Sequence, residues 1–283
     1  LPWSKIVIKV GSALISPNSD GCNSQYLLSI ANFIVQCRLA GTQVLLVSSG
    51  SVAAGSGLFE GTNSDSVTLK KAMAASGQTE MIATWDRLFD FSTAQILVTH
   101  ADLKNIDRYE SVRDTLNTLL DNHILPIVNE NDAVTADKLK IGDNDNLSAM
   151  IASAIDAEAL LICSDIDGLY DSNPRINPQA KLIKHVYQIN DEIKLMASGA
   201  ISQQGTGGMT TKLEAAEKAT SSGVDTFILN GFKGYCFDML LNGENPGTHF
   251  HAFKKPLTEE DHWIRHTAQA QGELVVDDNY QLM

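Results

Sequence analysis

The stretch LKIGDNDNLSAMIASAIDAEALLICSD, Leu139 to Asp165, joins a helical run at 146–156 to an aliphatic run at 159–163. It therefore predicts a helix feeding a buried strand, the half-unit of a βαβ fold. Its beginning is unusual. Gly142, Asp143, Asn144, Asp145 and Asn146 bring two carboxylates and two carboxamides to the helix N-terminus. Asp and Asn cap helices well, and acids favour the positive end of the macrodipole. One cap uses one such residue, so capping and ligand binding both remain open readings. A calcium loop of the EF-hand type fails, because the sixth position from Asp143 is Ser148 and the twelfth is Ala154.

The same alternation extends in both directions. Strand patterns lie near 5–10, 43–47, 95–98, 124–128 and 224–229, and helical patterns near 23–40, through 66–91, at 110–122 and at 211–222. Such a succession predicts an α/β chain: a three-layer αβα sandwich around a mainly parallel open sheet. Ligands of such sheets sit at the carboxyl ends of the strands. The signal weakens near residue 250. Residues 1–252 read as one domain, and the polar segment 253–283, with one short strand pattern at Glu273–Val276, reads as a linker and a fragment.

Composition narrows the classes of function. The 283 residues are 43% hydrophobic, enough for a sizeable core, and carry a formal net charge of −13. That balance argues against a general nucleic-acid surface, which needs clustered Lys and Arg. The four cysteines form no C-x-x-C pair, so no zinc knuckle or redox motif is expected, and a reducing, cytoplasmic setting fits. No apolar run has the length of a signal peptide or membrane span, so no membrane partner is expected.

Four strand ends carry the chemistry. Lys9 closes the first strand and is followed by Gly11 and Ser12, a turn whose backbone N–H groups suit a phosphate or merely reverse the chain. Ser48, Ser49, Gly50 and Ser51 lead from strand into helix, where small residues let amides approach an anion or simply form a cap. Asn129 to Asp132 form a second acid–amide cluster upstream of the opening stretch. Gly205 to Lys212, GTGGMTTK, is the most specific: glycines run into a helix for which Thr211 and Glu214 suggest a capping box. It is neither a Walker A loop nor G-x-G-x-x-G, since Thr210 occupies the decisive position in both; a surface loop is the competing reading.

Histidine offers less. His249 and His251 share a strand face, and His262 and His266 a helix face, but neither pair has an evident third ligand nearby. Both read as structural, and no protein-held metal site is expected. Neither a nucleophile elbow nor a Cys–His pair is present in the sequence.

In this order and at these intervals, KVGSALI, VSSGSVAAG, PIVNENDAV, IGDNDNLSA, DGLYDSNPRINPQAKLI and GTGGMTTK resemble the amino acid kinase family over roughly residues 4–252. Within it the paired NEND and GDNDN resemble the members that phosphorylate free glutamate. The resemblance implies that Lys9 and Lys212 contact the phosphates of ATP, that Asp145 orients both lysines, and that Ser164 and Asp165 with Thr206, Gly207, Gly208, Met209, Thr210, Thr211 and Lys212 form the nucleotide site. It also implies that Ser49, with Gly50 beside it, Asp132 and Asn144 bind glutamate. Family members often have Thr-Asp where this chain has Ser164-Asp165, which keeps the hydroxyl. Mg²⁺, a homo-oligomeric assembly (dimer or tetramer) and feedback inhibition by proline are further implications, and GELVVDD resembles the start of a PUA domain.

The chemistry stands beside the resemblance. A side-chain carboxylate with a reference pKa of about 4.3 is already an anion at neutral pH, so its attack on ATP needs no general base. The reaction needs relief of negative charge instead. Lysines, glycine loops and a helix N-terminus supply that. Free glutamate also carries an ammonium, for which Asp132, Asp143 and Asn144 are the expected acceptors. Two rivals remain: a kinase for aspartate or an acylated glutamate, which would leave Asp132 and Asp143 without a task in the acylated case, and a non-catalytic nucleotide sensor.

Overall fold

Strands that are aliphatic at nearly every position bury both faces and so need helices above and below. The computed structural model describes residues 2–18, 21–59, 66–135, 143–198, 208–254, 256–258, 261 and 263–264, and has that layering. Its strands are β1 (Lys5–Val10), β2 (Gln43–Ser48), β3 (Thr93–Val98), β4 (Leu125–Glu130), β5 (Ala159–Ser164), β6 (His185–Val186), β7 (Asp225–Asn230) and β8 (Thr248–Phe250). They form one sheet in the order β3-β4-β2-β1-β5-β7-β8-β6. All neighbours are parallel except β7 and β8, so β8 and the edge strand β6 run against the rest.

The helices are α1 (Ser12–Ile15), α2 (Leu27–Leu39), α3 (Ser51–Ser56), α4 (Val67–Asp86), α5 (His100–Lys104), α6 (Ile106–Asp121), α7 (Asn144–Ala154), α8 (Asp191–Ser198), α9 (Met209–Ser221) and α10 (Tyr235–Leu241), with a 3₁₀ turn at Gly57–Phe59. None of those in the described residues is long and apolar enough to cross a membrane. One apolar layer joins Val7, Val47, Leu160 and Ile162 of the sheet to Leu147 and Ile151 of α7 and Leu213 of α9. The other joins Ile6, Ile8, Leu161 and Leu229 to Phe33 of α2, Trp85 of α4 and Phe237 of α10. Each such aliphatic side chain contributes roughly 1.5–3 kcal/mol when fully buried. The two-residue period of β1 therefore decides where Lys9 points: with Val7, toward the layer of α7 and α9.

Boundaries moved for local reasons. The helix expected from 23 starts at Leu27, because the Asn23 side chain accepts the Gln25 N–H at 2.8 Å and holds a turn. The pattern expected from 110 begins at Ile106, where Asn105 caps it, after a separate short helix that a Thr99–Asp102 capping box opens. The capping box expected of Thr211 and Glu214 does not form: Gly208 is the N-cap of α9 and offers no side chain. Past residue 252 the described linker residues lie against the domain, with the Phe253 N–H donating to Thr220 O and Trp263 Nε1 to Leu103 O, both at 3.0 Å. Residues 265–283, including the GELVVDD segment, lie outside the described residues.

The helices α3 and α4 cross with their backbones almost touching at Gly55 and Gly77. A Cβ placed on Gly77 lies 2.0 Å from the Ser51 carbonyl oxygen, and one on Gly55 lies 2.0 Å from that of Met73. Helix propensity alone favours Gly→Ala by about 1 kcal/mol. Here overpacking outweighs it, so Gly77→Ala should lower the unfolding free energy by ~1–3 kcal/mol in urea denaturation; a neutral or stabilising effect would show that the crossing yields easily.

Candidate active site

Three buried charges meet at the carboxyl end of β1. Lys9 Nζ lies 2.5 Å from Asp145 Oδ1, and Lys212 Nζ lies 3.0 Å from Asp145 Oδ2. The Thr211 hydroxyl donates to the same Oδ2 at 3.0 Å and to nothing closer. All three charged residues are 5% exposed or less, so solvent screens them little. Burial alone would raise the Asp145 pKa; the ammonium groups of Lys9 and Lys212 overcome it and hold the carboxyl well below the usual carboxylate range. Burial lowers the pKa of Lys9, opposed by Asp145 and assisted by repulsion from Lys212. The sum is two cations sharing one anion, a net single positive charge.

The acid–amide cluster at the start of α7 divides its tasks residue by residue. Asp143 is the N-cap and accepts the Asn146 N–H at 3.4 Å, while Asn146 Nδ2 reaches both of its carboxylate oxygens. Asn144 turns the other way, its Oδ1 accepting the Glu130 N–H at 3.1 Å. Asp145 takes the lysines, and Asn146 accepts from Lys218 Nζ at 2.5 Å. So one residue of the cluster is the cap. Two adjacent residues of the first turn serve different places.

One of those places is a cleft of about 290 Å³ at the carboxyl ends of β5 and β7, lined among others by Ser164, Asp165, Gly208, Met209 and Lys212. The first turn of α9 opens beside it with no side-chain cap, so its unpaired N–H groups suit phosphate oxygens. Gly11 stands where a Cβ would come 3.9 Å from Lys9 Nζ and 3.3 Å from the Cys163 carbonyl. Thr210 is exposed. Thr206 and Gly207, expected in the same loop, lie outside the described residues, as does Gly142.

The other place lies between the ends of β2 and β4. Ser51 Oγ is 3.1 Å from Asp132 Oδ2, tying α3 to the loop after β4. Gly50, at φ 105°, lets the strand turn into α3 in a conformation that disfavours side chains. Ser49 Oγ is buried without a hydrogen-bond partner among the described residues. A buried hydroxyl in that state is a ready partner for an incoming polar group.

Sequence reasoning missed part of the cleft. Asp167 lines it and is held by Asn230 Nδ2 at 2.9 Å, Lys233 Nζ at 2.6 Å and the Tyr170 hydroxyl at 3.2 Å. Burial would raise its pKa, but these bonds, that of Lys233 foremost, hold it low. The signal lay in the end of a further parallel strand, Asn230-Gly231-Phe232-Lys233, which has no named motif.

The profile of the amino acid kinase family matches residues 4–230. The chain is 60% identical over 280 residues to glutamate 5-kinase 1 of Pseudoalteromonas translucida, covering 99% of this chain and 76% of that protein. It is 56% identical over 277 residues to glutamate 5-kinase of Idiomarina loihiensis, covering 98% and 75%. Among solved structures, UMP kinase from Bacillus anthracis superposes with a TM-score of 0.61 at 15% identity, over 89% of this chain and 97% of that one, which speaks to the fold.

Removing the shared anion tests the geometry. Asp145→Asn leaves two buried ammonium groups facing each other, and breaking a buried ion pair from one side costs about 3–5 kcal/mol. Urea denaturation at pH 7 should register that loss. Because the folded-state pKa of Asp145 is depressed, its contribution is fully present above the unfolded value of about 3.9 and fades as pH falls through the folded one. The difference between parent and variant should therefore hold from pH 7 to 5 and shrink only in stronger acid.

Proposed function

The chain belongs to the amino acid kinase family, and we propose that it transfers the terminal phosphoryl group of ATP to the side-chain carboxylate of L-glutamate, giving L-glutamyl 5-phosphate. The observation that carries this reading is the buried Lys9–Asp145–Lys212 cluster between a glycine-edged cleft and an acid–amide pocket. Mg²⁺ brought in with ATP would offset part of the phosphate charge, beside that met by Lys9 and Lys212.

Each residue then has a task. The first-turn N–H groups of α9 and the two ammonium groups meet the phosphate oxygens, and the cations stabilise charge that spreads as the phosphoryl group moves. Asp145 keeps Lys9 and Lys212 from repelling one another and fixes where each points. Ser49 and the amide groups near Gly50 receive a carboxylate of glutamate. Asp132 and Asn144 face its ammonium, and Asp143, the N-cap of α7, stands beside them. The attacking oxygen is an anion at neutral pH, so the geometry needs no base; one side-chain Oε of glutamate bonds phosphorus as the bond from phosphorus to the ADP oxygen breaks and ADP leaves.

The comparison between acceptors follows from the ammonium. N-acetylglutamate offers Asp132 no ammonium to meet, while aspartate is one methylene too short to reach the phosphorus from the same anchor. Four buried or half-buried free cysteines agree with work in a reducing compartment.

The test is a trap. With ATP, Mg²⁺ and hydroxylamine, the acyl phosphate should appear as the hydroxamate with glutamate, and at far lower yield with aspartate or N-acetylglutamate; equal yields with all three, or none with glutamate, would overturn the proposal. Lys212→Ala should lower turnover on the order of 100-fold, ~3 kcal/mol, as for loss of one preorganised electrostatic donor.

A further inference from the structure

At the end of the sheet opposite the cleft, parallel pairing of β6 with β8 sets His185 directly beside His249. Residues two apart in a strand share a face, so His251 joins them. Val186 and Phe250, the alternate positions, are buried in the core instead. The sequence offered His249 and His251 as a pair without a third ligand; the fold supplies one from 64 residues upstream. One ring nitrogen from each of the three lies within 4.8 Å of the others. His185 Nδ1 and His251 Nε2 are 3.1 Å apart. Two nitrogens bound tetrahedrally at the usual Zn–N distance of about 2.0–2.1 Å stand roughly 3.3 Å apart, so this pair is already at ligand spacing.

The surroundings hold the rings rather than leave them loose. Phe227 stacks on His249 with centroids 4.1 Å apart, and Tyr187 on His251 at 4.2 Å. Asp225 Oδ1 lies 3.0 Å from His249 Nε2 and is itself fixed by the Ala252 N–H at 2.9 Å. A carboxylate hydrogen-bonded to an imidazole is the usual partner that orients a ligating histidine. His185 is exposed, which gives an ion a path from solvent.

We propose that His185, His249 and His251 form a binding site for a divalent transition-metal ion, with Zn²⁺ as the reference ligand and water completing its coordination. An all-imidazole set suits Zn²⁺, Ni²⁺ or Cu²⁺ and not Mg²⁺, which takes oxygen ligands. The site is therefore separate in place and in chemistry from the Mg²⁺ that accompanies ATP.

The experiment uses the full chain, freed of any polyhistidine tag and dialysed against a chelator, with no nucleotide present. Zn²⁺ is titrated against a chelating dye, and Co²⁺ is followed by its visible ligand-field bands. One equivalent should bind, with the intense bands of a four-coordinate site. His185→Ala and His251→Gln should each abolish those bands and weaken Zn²⁺ binding at least ~10-fold, and Asp225→Asn should weaken it ~10–100-fold, as loss of an orienting partner does. Far-UV circular dichroism and Mg²⁺-dependent phosphoryl transfer should be those of the parent in the His185 variant, which separates ligand loss from misfolding. Absence of a stoichiometric site, or affinity unchanged in both histidine variants, would overturn the proposal.

Discussion

A carboxylate enclosed with two ammonium groups governs this molecule. At about 3 Å and an effective dielectric constant near 20, each contact of Asp145 with a lysine is worth roughly 5 kcal/mol before desolvation. Stripping water from each ion costs several kcal/mol in return, so the cluster adds little net stability. Its value lies in organisation. It fixes two positive charges beside a cleft that Lys212 lines, so that in the proposed reaction they are in place before a phosphate arrives.

The first turn of α7 distributes this arrangement. Asp143 closes the helix, Asn144 holds the backbone at the end of β4, and Asp145 holds the ends of β1 and α9. Three segments, β4, β1 and α9, thus converge on two consecutive residues of α7. The sheet makes the convergence possible, because parallel strands deliver all their carboxyl ends to the same edge.

Much of this was legible in the order of residues. Near-continuous aliphatic runs in β1, β2 and β5 predicted strands covered on both faces, and the alternation within β1 sends Lys9 to the side of α7. What was not legible depended on long-range geometry or on competition between caps. Thr211 looked like the start of a capping box, yet its hydroxyl is drawn to Asp145 and to the Gly208 carbonyl, and the helix begins earlier. Asp167 and Lys233 meet only because β7 lies beside β5. His185 gave no local signal at all, since strand pairing alone brings it to His249.

Under the proposed function Asn144 and Asp145 are covalent neighbours that attend to the two halves of the site, and this has an evolutionary corollary. The pair behaves as a ruler whose length is a single peptide unit. Neither half can drift toward or away from the other without unwinding the helix that carries both. A lineage that came to accept a longer or shorter acid would have to reshape the far wall of its pocket, on α3 and the loop after β4, while the graduated edge stayed put.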